Sequence, residues 1–481
     1  MTRIRSPLVR WAAFSLVGYC LAAWWFPLRP EHHRAPLPDI YSFTPSLGGA
    51  LAYAAWLSLL FGLYWLAYRY VRSSNEFRAS TLGLLTGTLL FALPLIWAFP
   101  INAIDIYQYY LHGRTTAVFR QSPFTVAPLA ASGASWAALA GEWADHTSPY
   151  GPLWEWVSAG VAAVSPYDIQ TALVLFKVFN LMCLVAVGGL IGLMSPAATP
   201  TSRAARVLLW SWNPAVLLIY VMDGHNDILM LFWWLLGAWL LQRRRWWGLV
   251  VLVLAPLTKP IGLLPLPFFY LTALRNLPDW RTRVRWLVRA GLVSLLVALA
   301  AWAPFLALDQ TPGASVVGAA RRLQFEAGGG GGFSPKALMV LLEAWLGTSG
   351  LASSVMLVVS AALVLWVLWL LVRTTRGASP GLGAAGALVA YLLQAFKFRI
   401  WYAAWPFPWL VLDRSASGGR VTAGVWFLFA TQLSPLIYGH LRRLVLQGDL
   451  LIAHAIGVPL TFVVPVVAAW LAGLGRKRRQ A

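Results

Sequence analysis

Uncharged apolar runs that approach the length needed to cross a bilayer recur along the whole 481-residue chain. Such a crossing takes roughly 20 residues as a helix, whose backbone satisfies its own hydrogen bonds within the lipid. The runs lack the two-residue alternation of a membrane β-barrel. We therefore predict an all-α polytopic transmembrane helical bundle of about twelve to fourteen spans. The candidate spans are residues 8–28, 47–68, 80–99, 168–194, 204–221, 227–242, 246–258, 261–274, 286–306, 351–372, 381–396, 400–412, 421–439 and 450–473.

The chain is strongly basic, with 37 Lys and Arg against 16 Asp and Glu. A charge of this kind can indicate nucleic-acid binding, but here it falls mainly in short connections between apolar runs, where positive residues set topology instead. We predict no nucleic-acid partner and an integral protein of the cytoplasmic membrane with both termini cytoplasmic. Both termini can lie on the same side only if the number of crossings is even, which requires that the short apolar pieces 150–166 and 337–346 do not cross fully. They are predicted to be amphipathic or re-entrant helices on the extracytoplasmic side.

Most polar groups other than Arg fall in four predicted outer connections, residues 101–149, 222–226, 307–336 and 439–449. We predict one membrane domain over residues 1–481, with 101–149 as its first large outer loop. Residues 307–336 form a second outer loop, which contains five consecutive glycines. Such a run favours a mobile spacer over packed structure, with substrate gating as the alternative.

Asp105 directly follows an apolar run, in the stretch INAIDIYQYYLHGR (101–114). Its carboxylate can simply cap a helix by accepting hydrogen bonds from the amides that follow. Its neighbours favour a binding or catalytic site instead: Tyr109 offers a ring and a hydroxyl, His112 a proton-transfer group and Arg114 an anion-binding group. An interfacial aromatic belt is the alternative for the tyrosines.

Two further stretches combine acids, amides and histidines. WADHTSPYGPLWEW (143–156) sets carboxylates among tryptophans, a combination that suits a sugar. VMDGHNDIL (221–229) is a short polar turn that can cap the next helix, bind a divalent cation or hydrogen-bond a polyol, and we favour the polyol. The candidate sugar- or acceptor-binding residues are Tyr109, His112, Asp145, His146, Tyr150, His225, Asn226 and Asp227.

Lys259 lies between two apolar arms, and the end of each arm that is farther from the lysine is basic. The lysine is therefore predicted at the turn of a hairpin within or across the membrane. A lysine there requires an anion, either an intramolecular carboxylate or the phosphate of a lipid-linked substrate. Lys397 and Arg399, in KFRIWY (397–402), can snorkel to the membrane edge or bind phosphate. We favour phosphate for Lys259 and hold the two readings equal for Arg399.

Taken in order, these stretches resemble the GT-C class of integral membrane glycosyltransferases. The resemblance is closest to the polyprenol-phosphate-mannose-dependent α-1,6-mannosyltransferases and their relatives in glycosyltransferase family 87. Its motifs are the stretch from Asp105 to Arg114, SPYGPLW (148–154), WNP (212–214), GHND (224–227), TKP (258–260) and WYAAWPFPWL (401–410).

The resemblance implies transfer of a hexose, which we take to be mannose, from a polyprenyl-phosphate donor to a glycan or glycolipid acceptor on the extracytoplasmic side. The class has an acidic residue near its catalytic centre in the first large outer loop, a role that falls on Asp105. An ionised carboxylate can take the proton of the acceptor hydroxyl in an inverting displacement. Arg114, Lys259 and Arg399 are the candidates for stabilising the charge of the departing phosphate.

The stretch Asp-Ile-Tyr at residues 105–107 lacks the second acid of the Asp-x-Asp pattern found in some relatives. We therefore predict no cofactor, and a divalent metal is not favoured. A multi-spanning transporter or flippase of lipid-linked or free sugars is the alternative function. Transporters commonly show related halves, whereas no duplication is visible here and the polar residues cluster in outer loops, which favours an enzyme.

Overall fold

The computed structural model of the protein describes residues 7–73, 80–195, 200–328, 332–395, 397–413 and 418–480. Within these ranges the chain is largely helical, and an isolated antiparallel bridge joins Pro27 to Ala98. The all-α class predicted from the sequence is confirmed.

The α-helices follow one another in chain order with short connections. The first twelve are α1 Pro7–Trp25, α2 Ile40–Phe43, α3 Leu47–Ser73, α4 Thr81–Ile96, α5 Asp105–Ala117, α6 Pro128–Ser132, α7 Ala134–Ala137, α8 Pro152–Val164, α9 Ile169–Met194, α10 Pro200–Ser211, α11 Pro214–Leu217 and α12 Asp227–Gln242. The others are α13 Gly248–Thr258, α14 Leu266–Arg275, α15 Trp280–Leu306, α16 Ala314–Gly328, α17 Pro335–Leu346, α18 Leu351–Thr375, α19 Pro380–Gln394, α20 Phe407–Val411, α21 Gly418–Leu436, α22 Arg442–Leu444, α23 Leu450–Val458 and α24 Val464–Gln480.

Short helical segments of other types connect several of these elements. Segments of 3₁₀-helix are Pro30–His32, Ala138–Trp143, Pro260–Leu263 and Ile400–Ala404. Segments of π-helix are Leu218–Met222, Ile437–Leu441 and Pro459–Val463.

In the described part of the chain, seven helical stretches are long and apolar enough to cross a membrane, and a bent pair, Ser202–Ser211 with Pro214–Met222, makes an eighth if it counts as one span. The seven are Pro7–Trp25, Leu47–Ser73, Ile169–Met194, Trp280–Leu306, Leu351–Thr375, Gly419–Leu444 and Leu450–Gly473. The protein is therefore a multi-pass membrane protein.

Five other predicted spans form apolar helices of only 10–17 residues, which are too short for an upright crossing. They are Thr81–Ile96, Asp227–Gln242, Gly248–Thr258, Pro260–Arg275 and Pro380–Gln394. The candidate span 400–412 differs, because it folds as a 3₁₀ segment followed by the short helix α20. A total of twelve to fourteen spans stays a prediction.

The chain divides into two compact units. Unit 1 contains residues 1–39, 59–263 and 277–326, and unit 2 contains residues 40–58, 264–276 and 327–481. The single domain over residues 1–481 stays a prediction. The candidate residues from Asp105 to Lys259 all belong to unit 1, whereas Arg399 belongs to unit 2.

The WNP motif breaks a helix inside unit 1. The two halves of the bent pair meet at 47° across this motif. Pro214 suits a first helical turn because it lacks an amide hydrogen, and the Asn213 side chain accepts hydrogen bonds from the amides of Ala215 and Val216 at 3.0 and 3.4 Å. The indole of Trp212 donates to the carbonyl of Leu84 at 2.9 Å. The motif is thus structural, and the helix that it starts leads through a π-helical segment to the turn 223–226.

Helix α5 carries Asp105 on its first residue and is enclosed by protein. Residues 106–115 of this helix are all buried, including polar side chains. The helix therefore lies within unit 1 with neither face open. Its polar groups therefore have to be matched by protein groups or by a ligand.

The predicted outer loop 307–336 contains the helix α16, whose alanines, arginines, leucine and glutamine favour a helix over an irregular loop. Asp309 stabilises its start, because the carboxylate accepts a hydrogen bond from the Ser315 amide at 2.9 Å. The middle of the glycine run, residues 329–331, lies outside the described residues.

Candidate active site

The polar turn 223–226 packs against the start of α5. Gly224 has φ +74°, a backbone conformation that favours glycine, and a Cβ on this residue would lie 2.4 Å from the Cδ1 atom at the end of the Ile106 side chain. The turn brings the Nδ1 atom of buried His225 to 3.6 Å from the Oδ2 atom of Asp105. Asp105 is not an N-cap: Ile104 holds that position and Asp105 is the first residue of the helix. The cap alternative for this aspartate is therefore wrong.

Lys259 has an intramolecular carboxylate partner. Its Nζ atom donates to the Oδ1 atom of Asp227 at 2.8 Å, with the Asp227 side chain fully buried and the Lys259 side chain 14% exposed. The lysine follows the last residue of α13, and a new helical segment begins at Pro260, as predicted for a hairpin turn. Phosphate binding by Lys259 stays a prediction.

The SPYGP stretch lies directly on the segment that contains Lys259. The Gly151 amide donates to the Thr258 carbonyl at 2.9 Å, and the ring of Tyr150 lies 5.8 Å from the Lys259 Nζ atom. A Cβ on Gly151 would lie 2.1 Å from the carbonyl oxygen of Leu257. The two backbones can approach this closely only because residue 151 has no side chain.

Gly151→Ala is therefore expected to destabilise the protein by about 1–3 kcal/mol, the usual cost of forcing extra atoms into a packed region. The measurement is thermal unfolding in detergent. Gly160→Ala is the matched control, since this glycine of α8 has open space where a Cβ would be placed. Alanine there should be neutral or slightly stabilising. Equal losses of stability in the two variants would contradict the close-approach argument.

An aromatic wall joins α5 to α8 beside these charges. The Tyr109 ring makes edge contacts with Tyr150 and Trp154, at centroid distances of 5.1 and 5.0 Å. Burial raises the pKa of the Tyr109 hydroxyl well above its usual value, and the negative charges of Asp105 and Asp227 raise it further. Tyr109 therefore stays neutral between the two carboxylates.

Asn226 occupies the N-cap position of α12, as the sequence allowed, but its side chain makes no capping hydrogen bond. The side chain is fully buried, and no hydrogen-bond partner within the described ranges reaches its Oδ1 or Nδ2 atom. Buried amides are nearly always satisfied in proteins. An amide with a free donor and a free acceptor at this place suits a hydroxylated ligand.

His112 belongs to a second buried group, deeper along α5. Its Nδ1 atom lies 3.4 Å from the Oε1 atom of Glu155, and both side chains are fully buried. The Ser148 hydroxyl donates to the same carboxylate oxygen. This group ties α5 to the start of α8, and a role of His112 in sugar or acceptor binding stays a prediction.

Three residues not selected from the sequence support the turn 223–226. Asn102 donates to the Asp223 carboxylate from its backbone and its side chain, each at 3.3 Å. Burial raises the pKa of Asp223 to about 7, an effect opposed by these hydrogen bonds and by the nearby charge of Lys177. The Asn180 amide donates to the His225 carbonyl at 3.1 Å. A lysine and an asparagine inside the apolar run of α9 were the available signal, because polar residues within a span are commonly functional.

Arg114 lies on α5 but away from Asp105, since nine residues of α-helix separate the two by about 14 Å along the axis. Its guanidinium lies 3.7 Å from the ring centroid of Trp136 and is otherwise surrounded by Tyr110, Phe119 and Tyr167 at 5.6–5.9 Å. In the part of the chain that the structure describes, its Nε and Nη1 atoms have no hydrogen-bond partner. Binding of the donor phosphate by Arg114 stays a prediction, at a place distinct from the Asp105 contact.

The other candidates are not joined to this cluster. Asp145 and His146 contact each other in an exposed connection, and the His146 ring lies against Trp143. Arg399 precedes a 3₁₀ segment of unit 2. The roles assigned to these three residues stay predictions. No group of three or more His, Cys, Asp or Glu side chains among the described residues forms a metal-binding arrangement. Independence from metal stays a prediction.

We give the name charged cluster to Asp105, His225, Asp227 and Lys259. Its members come from three separate stretches, at the start of α5, at the start of α12 and at the end of α13. Asn226, Tyr109 and Tyr150 lie beside it. A cluster of ionisable groups from distant segments, with an unsatisfied buried amide, is the arrangement expected of an active site.

Comparison with known proteins points to one family. Residues 12–275 match the family described as alpha-(1->6)-mannopyranosyltransferase, N-terminal domain. A probable alpha-(1->6)-mannopyranosyltransferase of Mycolicibacterium smegmatis is 30% identical over 196 residues, which are 40% of this chain and 33% of that protein. The alpha-(1->6)-mannopyranosyltransferase A of Corynebacterium glutamicum is 29% identical over 161 residues, 32% of this chain and 31% of that protein.

The matched part of this chain spans about one third of the length of these relatives. The family match is broader and includes the whole charged cluster, whereas Arg399 lies outside it. Because it extends over more than half of the 481 residues, the chain belongs to the alpha-(1->6)-mannopyranosyltransferase family.

Proposed function

We propose that the protein transfers mannose from a polyprenyl-phosphate donor to a glycan or glycolipid acceptor. The observation that carries the proposal is the contact between Asp105 and His225, beside the pair of Asp227 and Lys259, within the part of the chain that matches the family. The names of the relatives describe transfer of a mannopyranosyl group in an alpha-(1->6) linkage. The lipid-phosphate donor is what the resemblance to the polyprenol-phosphate-mannose-dependent enzymes implies, and the membrane setting and the cations near the site suit it.

The Asp105 carboxylate suits the role of general base. It is 15% exposed, so a ligand can reach it, while His225 restrains it from the buried side. In the proposed step the acceptor oxygen forms a bond to the anomeric carbon of mannose and passes its proton to Asp105. The bond from that carbon to the phosphate oxygen breaks at the same time, and the lipid phosphate leaves with the electron pair. Attack opposite to the leaving group inverts the anomeric configuration.

Lys259 suits the stabilisation of the leaving phosphate. Asp227 holds its Nζ atom in place through a hydrogen bond at 2.8 Å, and the ammonium is partly exposed, so an anion can approach it. A preorganised cation that meets charge developing in the transition state is a large contribution to catalysis. His225, when protonated, adds a second positive charge to the same site.

Asn226, Tyr109 and Tyr150 suit recognition of the sugar. The buried amide of Asn226 offers a donor and an acceptor, the pairing that adjacent sugar hydroxyls need. The tyrosine rings supply an apolar wall next to it. The resulting site would hold one hexose between an aromatic surface and polar groups.

We infer that this site faces the extracytoplasmic side. The helices that reach it carry their arginines at the opposite end: α12 runs from Asp227 towards Arg243, and the bent pair begins beside Arg203. Positive residues near span ends are enriched on the cytoplasmic side. The charged cluster would therefore lie across the membrane from them.

The test is transfer of radiolabelled mannose in proteoliposomes that contain the purified protein and a membrane extract as the acceptor source. Polyprenyl-phosphate mannose is compared with polyprenyl-phosphate glucose and with a nucleotide-linked mannose, and protein-free liposomes are the control. We expect transfer from polyprenyl-phosphate mannose alone. Equal transfer from the nucleotide sugar would contradict the lipid-phosphate donor. Movement of labelled donor across the bilayer without transfer would show a flippase instead.

A further inference from the structure

A groove in unit 2 lies between the last half of α18 and the face of α19 that packs against it. Its volume is about 710 Å³. Small residues of α19, including Gly386 and Ala390, form its floor, and Trp366 and Val389 form its walls. These two wall residues are 45% and 40% exposed, so the groove opens to the outside of the unit.

The groove is apolar because it belongs to a helix that lies in the membrane. Helix α18 has the highest hydropathy of the seven long apolar stretches, and only 6% of its apolar window is buried. Lipid chains are therefore its expected surroundings. A groove in such a surface can hold one lipid acyl chain in place, whereas acyl chains on a smooth surface exchange freely.

One end of the groove is cationic. Arg373 lines it and lies 4.8 Å from the ring centroid of Trp369, which stacks on Trp366. Within the described ranges Arg373 has no carboxylate partner. The adjacent turn contains Arg376. Arg275, at the end of α14, contacts the same turn, because its Nη1 atom donates to the Thr374 carbonyl at 3.4 Å.

Arg420, also at the groove, does not alter this balance. Its Nη1 atom pairs with the Asp413 carboxylate at 2.7 Å, so the two charges cancel. The turn 374–377 therefore carries a net positive charge at the end of an apolar channel. This combination matches an amphiphile with an anionic head and an alkyl tail.

We propose that the groove binds an anionic phospholipid of the cytoplasmic leaflet, with its phosphate at Arg373 and the turn 374–377 and one acyl chain between Trp366 and Val389. Arg373 and Arg376 form a short basic connection between the candidate spans 351–372 and 381–396, and the preference of positive residues for the cytoplasmic side predicts that this connection is cytoplasmic. Basic pockets between spans on that side bind anionic lipid headgroups. The groove belongs to unit 2, whereas the charged cluster belongs to unit 1. The inference does not depend on the proposed function.

The test counts lipids retained on the purified protein by native mass spectrometry, after titration with phosphatidylglycerol or with phosphatidylcholine of the same chains. Arg373→Gln should weaken phosphatidylglycerol binding by about fivefold, the effect of one cation near an anionic lipid, and leave phosphatidylcholine unchanged. Val389→Trp should weaken both lipids, since it fills the apolar part. Arg243→Gln is the matched control, because Arg243 lies 5.5 Å from the Trp239 ring four residues earlier, the spacing between Arg373 and Trp369.

Three outcomes would overturn the proposal. The first is an equal loss of phosphatidylglycerol binding in Arg373→Gln and Arg243→Gln, which would show that only the net charge of the protein matters. The second is unchanged lipid retention in Val389→Trp, with circular dichroism showing that the variant is folded, which would place the lipid elsewhere. The third is displacement of phosphatidylglycerol by polyprenyl phosphate at equal concentration, which would assign the groove to a prenyl lipid. A specific loss in both groove variants, without such displacement, supports the proposal.

Discussion

Asp105→Asn is expected to lower mannosyl transfer by about 100- to 10 000-fold, the contribution of a general base. The amide has the shape of the carboxylate and can keep its place beside His225, but it cannot accept the acceptor proton. The measurement is the initial rate of transfer from polyprenyl-phosphate mannose at matched protein levels. Affinity for the donor should change little, since the substitution leaves Lys259 and Asp227 intact.

Asp279→Asn is the matched control for this substitution. Asp279 caps α15 by accepting a hydrogen bond from the Thr282 amide at 2.9 Å, and asparagine caps a helix equally well. The control should therefore transfer at the normal rate. If Asp105→Asn also transfers normally, the base is another group. If it loses donor binding together with transfer, the carboxylate acts in binding and not as the base.

Lys259→Met is expected to reduce the free energy of unfolding by about 3–5 kcal/mol, the usual cost of removing one partner of a buried ion pair. The Asp227 carboxylate would remain fully buried without its cation. Methionine retains the length and apolar character of the lysine stem, so the loss reports the charge. The measurement is chemical or thermal unfolding in detergent, with transfer measured on the same preparation.

The double variant Asp227→Leu with Lys259→Met separates structure from catalysis. With both charges removed, no unpaired group is left, and stability should return close to the normal value. Transfer should nevertheless be lost, because the cation that we propose to bind the phosphate is gone. A double variant as unstable as the single one would show that the pair is not the main source of the loss. Restored transfer would exclude Lys259 from the reaction.

The helices could be predicted from the sequence because an apolar run is a local signal. Asp105 could be selected by the same kind of signal, and its role stays a prediction. Apolar runs determine helices in a membrane, and Asp105 stands out at the end of such a run. The GHND and TKP motifs could likewise be selected as polar breaks in apolar surroundings. What these motifs bind depends on which segments meet, and the pair of Asp227 and Lys259 joins residues 32 positions apart.

Other features of the site depend on distance in space and were not predicted. Arg114 follows Asp105 closely in sequence, yet a straight helix carries it to an aromatic cage instead of the charged cluster. Asp223 was considered only as part of a polar turn, whereas its hydrogen bonds with Asn102 bridge 121 positions. The length of each membrane-crossing helix could not be predicted from the sequence either. Helix ends depend on caps and breaks, such as the break before Pro214 that is capped by Asn213.

The buried pair of Asp227 and Lys259 has a consequence for how the protein is made. Synthesis runs from the N-terminus, so the carboxylate of Asp227 leaves the ribosome before the lysine that neutralises it, with α12 and α13 between them. Until Lys259 arrives, an ionised Asp227 is costly to bury in the bilayer. We therefore expect stable insertion of α12 to depend on α13, with the two helices entering the membrane as a hairpin that closes when the ion pair forms.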